Sequence, residues 1–374
     1  SDYGSVEILD IKFGSGSDIL SIDSTHQHST TISTGIGYDT VDVGSIAAAT
    51  DIDLGSDDDT IYVGDFDQVV DNISETLTVT GGIGSDAIII DDSGDTQDNT
   101  AIVNASEIVG LGMNGEIDYE NFENLDVLLG SGRDILSVET THEELTYIST
   151  GDGSDIVNVE NISGETSVKL GIGDDNLNIG NINQKLEDIS TALIVSGGLG
   201  EDSLNVDDSG DTEDNTAIIY DTLITGLGMN GEIDYGSFEN LDINLGSGSD
   251  IVSVESTHQQ NTNINTGIGS DMVNVENISG ETNVKLGEDD DILNTSNINQ
   301  QLEDISAQLT VSGDSGFDML EINDSGDTQN NTAIIDSTSI TGLGMTGEID
   351  YGNLEDMSIQ FGSGRENLQN KRRN

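Results

Sequence analysis

The sequence predicts an all-β chain folded as one right-handed parallel β-solenoid, or β-helix, with G-x-G-x-D corners and about five coils in each 116-residue repeat. Three observations predict it. Short runs alternating apolar and polar residues recur behind glycine turns from one end to the other, the two-residue period of half-buried strands. The segments GLGMNGEIDY around Met113, GLGMNGEIDY around Met229 and GLGMTGEIDY around Met345 are spaced by 116 residues, as are Asp18, Asp134 and Asp250. Within that long repeat a shorter motif, G-x-G/D-x-D followed by an apolar alternation, returns four times.

Composition narrows the function. The chain has 73 acidic against 9 basic residues, a formal charge of −64, and no Cys, Pro or Trp. Without cysteine there is no disulfide, thiolate zinc site or thiol nucleophile. The acid excess repels nucleic-acid phosphates and anionic lipid surfaces and attracts cations. Aromatic residues at 4% and such a charge would by themselves indicate disorder, but disordered chains have no reason to alternate in register. No apolar run approaches the roughly 18 residues of a membrane span, and Ser1-Asp2-Tyr3 does not begin a signal peptide, so no membrane insertion is expected.

The repeats are placed at 10–125, 126–241 and 242–357, with 1–9 and 358–374 as partial copies of a single 1–374 solenoid. A chain that starts and stops inside a repeat is expected either of a piece of a longer array or of a subunit that stacks end to end on itself, with the basic tail Lys371-Arg372-Arg373 drawn to an acidic neighbour. Turn aspartates fall at Asp18, Asp39, Asp59 and Asp86, then at Asp134, Asp155, Asp175 and Asp202, then at Asp250, Asp271, Asp291 and Asp318, with Asp57 and Asp289 standing where other turns have glycine. Steps of 21, 20 and 27 residues suit one coil each, and the step of 48 suits two coils, the second cornered by GLGMNG. At about 4.8 Å between stacked strands the chain would form a rod on the order of 75 Å long. The 27-residue coil contains NINQKLEDIS (181–190), where Ile182, Leu186 and Ile189 at helical spacing predict a short helix.

Glycine permits the positive φ angles that point several carbonyls to one side, and a hard cation such as Ca²⁺ takes six to eight oxygens from carbonyls and carboxylates. Stacked coils would align the turn aspartates, each turn supplying half of a site for one of multiple Ca²⁺ ions. The alternative is a metal-free turn in which Asp caps its own backbone. The turn resembles the glycine- and aspartate-rich nonapeptide of the repeats-in-toxin family, G-G-x-G-x-D-x-U-x, and the resemblance implies calcium bound in a parallel β-roll. Here the motif returns about every 20 residues instead of every nine, which predicts one ion column along one edge. With its GLGM, IDY and LGSG segments the whole chain also resembles modules of very large repetitive bacterial surface proteins, implying a secreted structural or adhesive role.

Other motifs carry less. DDSGDTQDN (91–99), repeated as DDSGDTEDN (207–215) and NDSGDTQNN (323–331), reads as a solvated loop before an oxygen cage, because the third copy replaces Asp98 by Asn330. Gly110-Leu111-Gly112-Met113-Asn114-Gly115 matches the dinucleotide fingerprint by letter, but a strand and not a helix follows. His26, His142 and His258 share one repeat position and read as exposed loop residues. Ice binding would need a Thr-x-Thr array that the repeats do not keep. The acids form no unique pair for glycoside chemistry, so no enzyme is predicted. The expectation is a calcium-binding structural segment of an extracellular or cell-surface protein (an adhesin stalk, surface-layer component or filament subunit), and its rival is a non-catalytic calcium-binding solenoid module of a secreted polysaccharide-active enzyme.

Overall fold

The computed structural model describes residues 6–365 and 367–369. Every regular element among them is a β-strand, and none is a helix long and apolar enough to cross a membrane. The chain divides into two compact units, Ser1–Leu177 with Ile189–Asp202, and Asn178–Asp188 with Ser203–Asn374. Both are mostly parallel β-solenoids. The basic tail, Glu366 and the first five residues lie outside the described residues.

In the first unit the strands are β1 (Ile8–Lys12), β2 (Ile19–Ile22), β3 (Ser29–Ser33), β4 (Thr40–Val43), β5 (Thr50–Ser56), β6 (Thr60–Val63), β7 (Leu77–Ile83) and β8 (Ala87–Asp91). They continue through β9 (Thr100–Asn104), β10 (Glu107–Gly110), β11 (Glu116–Glu120), β12 (Asn124–Leu128), β13 (Ile135–Val138), β14 (Leu145–Ser149), β15 (Ile156–Val159) and β16 (Thr166–Ile172). β1, β3, β5 and β7 stack in parallel as one wall, and β2, β4, β6 and β8 as the other. Each G-x-D turn crosses between walls. Register follows from burial: Leu20, Val41, Ile61, Ile88 and Leu125 pair rung on rung, and the last four are fully enclosed. Branched aliphatic side chains suit a pleated surface covered by the opposite wall, so a narrow interior closes without large aromatics.

The expected corner at GLGMNG is not a solenoid corner. β9, β10 and β11 form a three-stranded antiparallel meander inside the first wall; GLGMNG joins β10 to β11, and β11 pairs in parallel with β7 while β9 pairs in parallel with β13. Leu111 enters the left-handed region at φ 51° and buries its side chain there. The meander also exchanges the walls. β12, which starts the second repeat, stacks on β8 in the second wall, and β13 stacks in the first, so the turns of the second repeat cross the opposite edge from those of the first. The predicted single-edge column is therefore corrected. A sequence period shows that turns recur, whereas the edge they occupy depends on how many strands each wall gains between repeats. In the second unit the meander Thr216–Ile219, Leu223–Gly226, Glu232–Gly236 recurs, as does Thr332–Ile335, Ser339–Gly342, Glu348–Gly352.

The predicted helix over 181–190 is absent. Asn181 Oδ1 accepts the N–H groups of Asn183 and Lys185 at 2.9 and 3.2 Å, folding the segment into side-chain-capped turns that bury Leu186 and Ile189 and leave Ile182 in solvent. The histidines are also not exposed as expected. His142 and His258 are half-buried edge-on against Tyr119 and Tyr235, His142 Nδ1 lies 3.1 Å from Thr146 Oγ1, and burial lowers both histidine pKa values.

Glycine is favoured where one coil's backbone comes against the next. Gly171 has φ 106°, and a Cβ there would fall 1.9 Å from the Gly151 carbonyl oxygen. Gly171→Ala is expected to destabilise the first unit by at least ~1 kcal/mol, whereas Gly236→Ala, with open space around it, should stay within about 0.5 kcal/mol of the parent. Urea unfolding followed by circular dichroism measures both.

Candidate metal centre

The turn aspartates form three columns. In the first, Asp39 Oδ1 accepts the backbone N–H of Asp18 at 2.7 Å, Asp59 Oδ1 that of Asp39 at 2.7 Å, and Asp86 Oδ1 that of Asp59 at 2.7 Å. The second runs from Asn99 through Asp134, Asp155 and Asp175 to Asp202 with the same bond at 2.8 to 2.9 Å. The third runs from Asn215 through Asp250, Asp271 and Asp291 to Asp318 at 2.7 to 3.1 Å. Asp18 is half-buried and the other eleven aspartates are enclosed.

One oxygen of every column carboxylate except that of Asp18 is thus committed to the neighbouring coil. The other Oδ2 of Asp39, Asp59, Asp86, Asp155, Asp175, Asp271, Asp291 and Asp318 is buried and accepts no hydrogen bond from the described residues. Around the bonded Oδ1 the turns are tightly packed with oxygens. A Cβ on Gly153 would fall 1.9 Å from Gly132 O and 2.8 Å from Asp155 Oδ1; on Gly84 it would fall 2.2 Å from Asp57 O and 3.1 Å from Asp86 Oδ1, and on Gly316 1.8 Å from Asp289 O and 3.2 Å from Asp318 Oδ1. In these three turns a carbonyl of the adjoining coil and a carboxylate oxygen therefore come together as a cradle, the mixed oxygen set that suits Ca²⁺.

Asp57 and Asp289 do not join the columns as carboxylates. At φ 79° and 81° they take the left-handed conformation that glycine takes elsewhere, their side chains are exposed, and what they present to the cradle is the carbonyl. Asp58, Asp174 and Asp290, one residue before the buried aspartate, instead accept the N–H of Ser85, Glu201 and Phe317 from the next coil.

Two kinds of residue were missed in the sequence. Glu123 Oε2 accepts the Asp86 N–H at 2.6 Å and Glu355 Oε2 accepts the Asp318 N–H at 2.9 Å, so a glutamate closes the first and third columns. Its signal was present: Glu123, Glu239 and Glu355 keep the 116-residue step but lie in no glycine turn. The DDSGDT loop, read as solvated, is half right. Asp98 is exposed, but Asp92 is enclosed, accepting the Val70 N–H at 3.0 Å, and Asn99 Nδ2 donates to Asp95 Oδ2 at 2.7 Å, so the loop forms the floor on which the second column stands. In the second repeat Lys185 Nζ adds an ion pair to Asp211 Oδ1 at 3.1 Å. A separate group, Glu107, Glu116 and Asp118, gathers carboxylate oxygens within 4.8 Å of one another on the first meander. It is shallow and confined to one repeat, since Leu223 and Ser339 replace Glu107 in the others.

Burial, opposed by the backbone hydrogen bond and reinforced by neighbouring carboxylates, pushes Asp59, Asp134, Asp175 and Asp250 up to about 6 and Asp291 to about 7. Asp86, Asp155, Asp271 and Asp318 are raised for the same leading reason. A buried column of like charges needs either protons or cations.

No protein-family model matches the chain. No curated protein matches it either. Among solved structures it is similar to a hyperactive, Ca²⁺-dependent, β-helical antifreeze protein from an Antarctic bacterium, at 19% identity over 86% of this chain and 85% of that one. The TM-score is 0.24, too low for any detail of that protein to bear on this one.

The raised values set a pH dependence. A carboxylate with a folded pKa above its unfolded one contributes stability that is fully present below about pH 4 and is lost as pH rises through the folded values, here about 6 to 7. In metal-free buffer the melting temperature is accordingly expected to be higher at pH 5 than at pH 8. Differential scanning calorimetry checks it, and an equal or higher value at pH 8 would contradict the assignment of buried, uncompensated acids.

Proposed function

We propose that the chain is a calcium-stapled structural segment of an extracellular or cell-surface protein. The observation that supports this reading is the set of enclosed aspartates whose Oδ2 has no hydrogen-bond partner among the described residues, in turns where the carboxylate lies close to carbonyls of the adjoining coil. An ion there would be held by the carboxylates of Asp18, Asp39, Asp59 and Asp86 and their counterparts in the other repeats, with carbonyls including those of Asp57 and Asp289. When bound, Ca²⁺ supplies positive charge that lets the carboxylates stay ionised while buried.

The chain's own residues then do mechanical work. The Asp N–H to Oδ1 bonds fix the spacing of successive turns, the glycines allow their close approach, and the aliphatic rungs close the interior. Sites of this kind recur in every repeat, whereas an active site is a single place, which favours a structural over a catalytic role. Millimolar calcium outside cells suits extracellular modules with dissociation constants of about 10⁻⁴ to 10⁻³ M. The same features fit a non-catalytic solenoid module of a secreted polysaccharide-active enzyme, and neighbouring domains distinguish the two.

Folding is expected to depend on calcium. At pH 8, Ca²⁺ should raise the melting temperature and restore the β spectrum after chelation. Mg²⁺, which demands a near-octahedral shell and dehydrates reluctantly, should do so far less. An unchanged spectrum and melting temperature after thorough chelation would overturn the proposal. Asp155→Asn keeps an acceptor for the Asp134 N–H but removes a charge between two turns, so it should stabilise the metal-free protein at pH 8 while reducing the stabilisation gained from calcium. Isothermal titration calorimetry and thermal melts read the two effects separately.

A further inference from the structure

The repeats keep their turns and diverge on the outward faces of their walls. In the second unit Ser203–Asp207, Asn240–Asn244, Asn261–Asn265, Thr282–Lys285 and Gln308–Ser312 stack in parallel, with Ile243, Ile264 and Val284 inward. Their outward positions carry a ladder of amides. Asn244 Nδ2 donates to Asn205 Oδ1 at 3.2 Å, Asn263 Nδ2 to Asp242 Oδ1 at 2.6 Å, and Asn283 Nδ2 to Asn263 Oδ1 at 3.0 Å. A groove of about 560 Å³ lies over this face. Lys285, also lining it, places Nζ 3.1 Å from Asp314 Oδ2.

Strand propensity does not explain the ladder, because asparagine is depleted in strands. Nor does the repeat: the places of Asn244, Asn263 and Asn283 are held by Leu128, Tyr147 and Ser167 in the second repeat and by Lys12, Thr31 and Asp51 in the first. A local preference overridden in one copy, over a groove, marks a functional feature.

We infer that this groove binds a short stretch of an uncharged glycan chain. Each amide has two N–H hydrogens and two carbonyl lone pairs; Asn283 spends both N–H groups on the Oδ1 atoms of Asn261 and Asn263, and Asn263 spends one N–H and one lone pair, which leaves the Asn283 carbonyl oxygen and the second N–H of Asn263 for a ligand. Sugar hydroxyls are donors and acceptors at once, so an amide beside a carboxylate, as in Asn263 with Asp242, matches two adjacent hydroxyls. The volume lies within the roughly 300–1,000 Å³ of small-ligand sites. Rungs about 4.8 Å apart present the same groups repeatedly to a chain laid along the stack. The charge of −64 opposes an anion, and Lys285, the one cation among the described residues lining the groove, is already paired with Asp314, which selects an uncharged chain.

The test is native affinity electrophoresis of the 374-residue protein, with calcium present, through gels cast with glucomannan, dextran or laminarin. Retardation by at least one is expected, with Asn263→Ala/Asn283→Ala weakening it about tenfold and Thr31→Ala, on the first repeat, leaving it unchanged. Asn283→Ser, which places the residue of the second repeat at this position, gives a milder variant that keeps the fold and should also weaken binding. Mobility unaffected by all three polysaccharides, or retardation that survives the double substitution, would overturn the inference. Neither result depends on the response to chelation, so the calcium reading stands or falls separately.

Discussion

The structure depends on one repeated bond, the backbone N–H of a turn aspartate donating to the carboxylate of the aspartate one coil on. It fixes the spacing of turns along each column, but it comes with enclosure of eleven of the twelve carboxylates, and ionised carboxylates enclosed together repel one another. The glycines, the αL conformations of Asp57 and Asp289 and the carbonyls that line each cradle all accommodate that enclosure. A cation there, as proposed, would let one set of residues satisfy geometry and charge together.

The meander answers a different constraint. Parallel coils extend indefinitely, and their period alone would keep every turn column on one edge. By inserting three antiparallel strands into a wall, each repeat shifts the next one's turns to the other edge in the first unit, while the DDSGDT loop and Glu123 mark where one column begins and another ends. A column that ends on a glutamate and starts on an asparagine has defined boundaries, so the number of carboxylates that must be compensated together is bounded.

Turns and outer faces obey different rules. The turn aspartates, and the glycines at Gly37, Gly153 and Gly269 and at Gly55, Gly171 and Gly287, hold the same letters through all three repeats because each touches the coil beside it, and any side chain at Gly153 or Gly171 would collide with backbone. Outward strand positions touch only their own wall. They change from Thr31 to Tyr147 to Asn263 without disturbing the fold, which is where a structural repeat can acquire a surface of its own.

The solenoid, its turns and the stacking of its turn aspartates were legible in the sequence, because a period of two sets which side chains face the interior and a motif returning at 20, 21 or 27 residues sets the length of a coil. Tertiary structure alone decided what depends on neighbours far along the chain: that GLGMNG joins antiparallel strands, that Leu186 and Ile189 are buried without a helix, that Glu123 and Glu355 close columns, and that Asp57 and Asp289 offer carbonyls. The physical reason is that alternation specifies a strand's two faces but not its partner. Partner, direction and edge are settled by which backbone groups remain unpaired after the adjoining coils have been laid down.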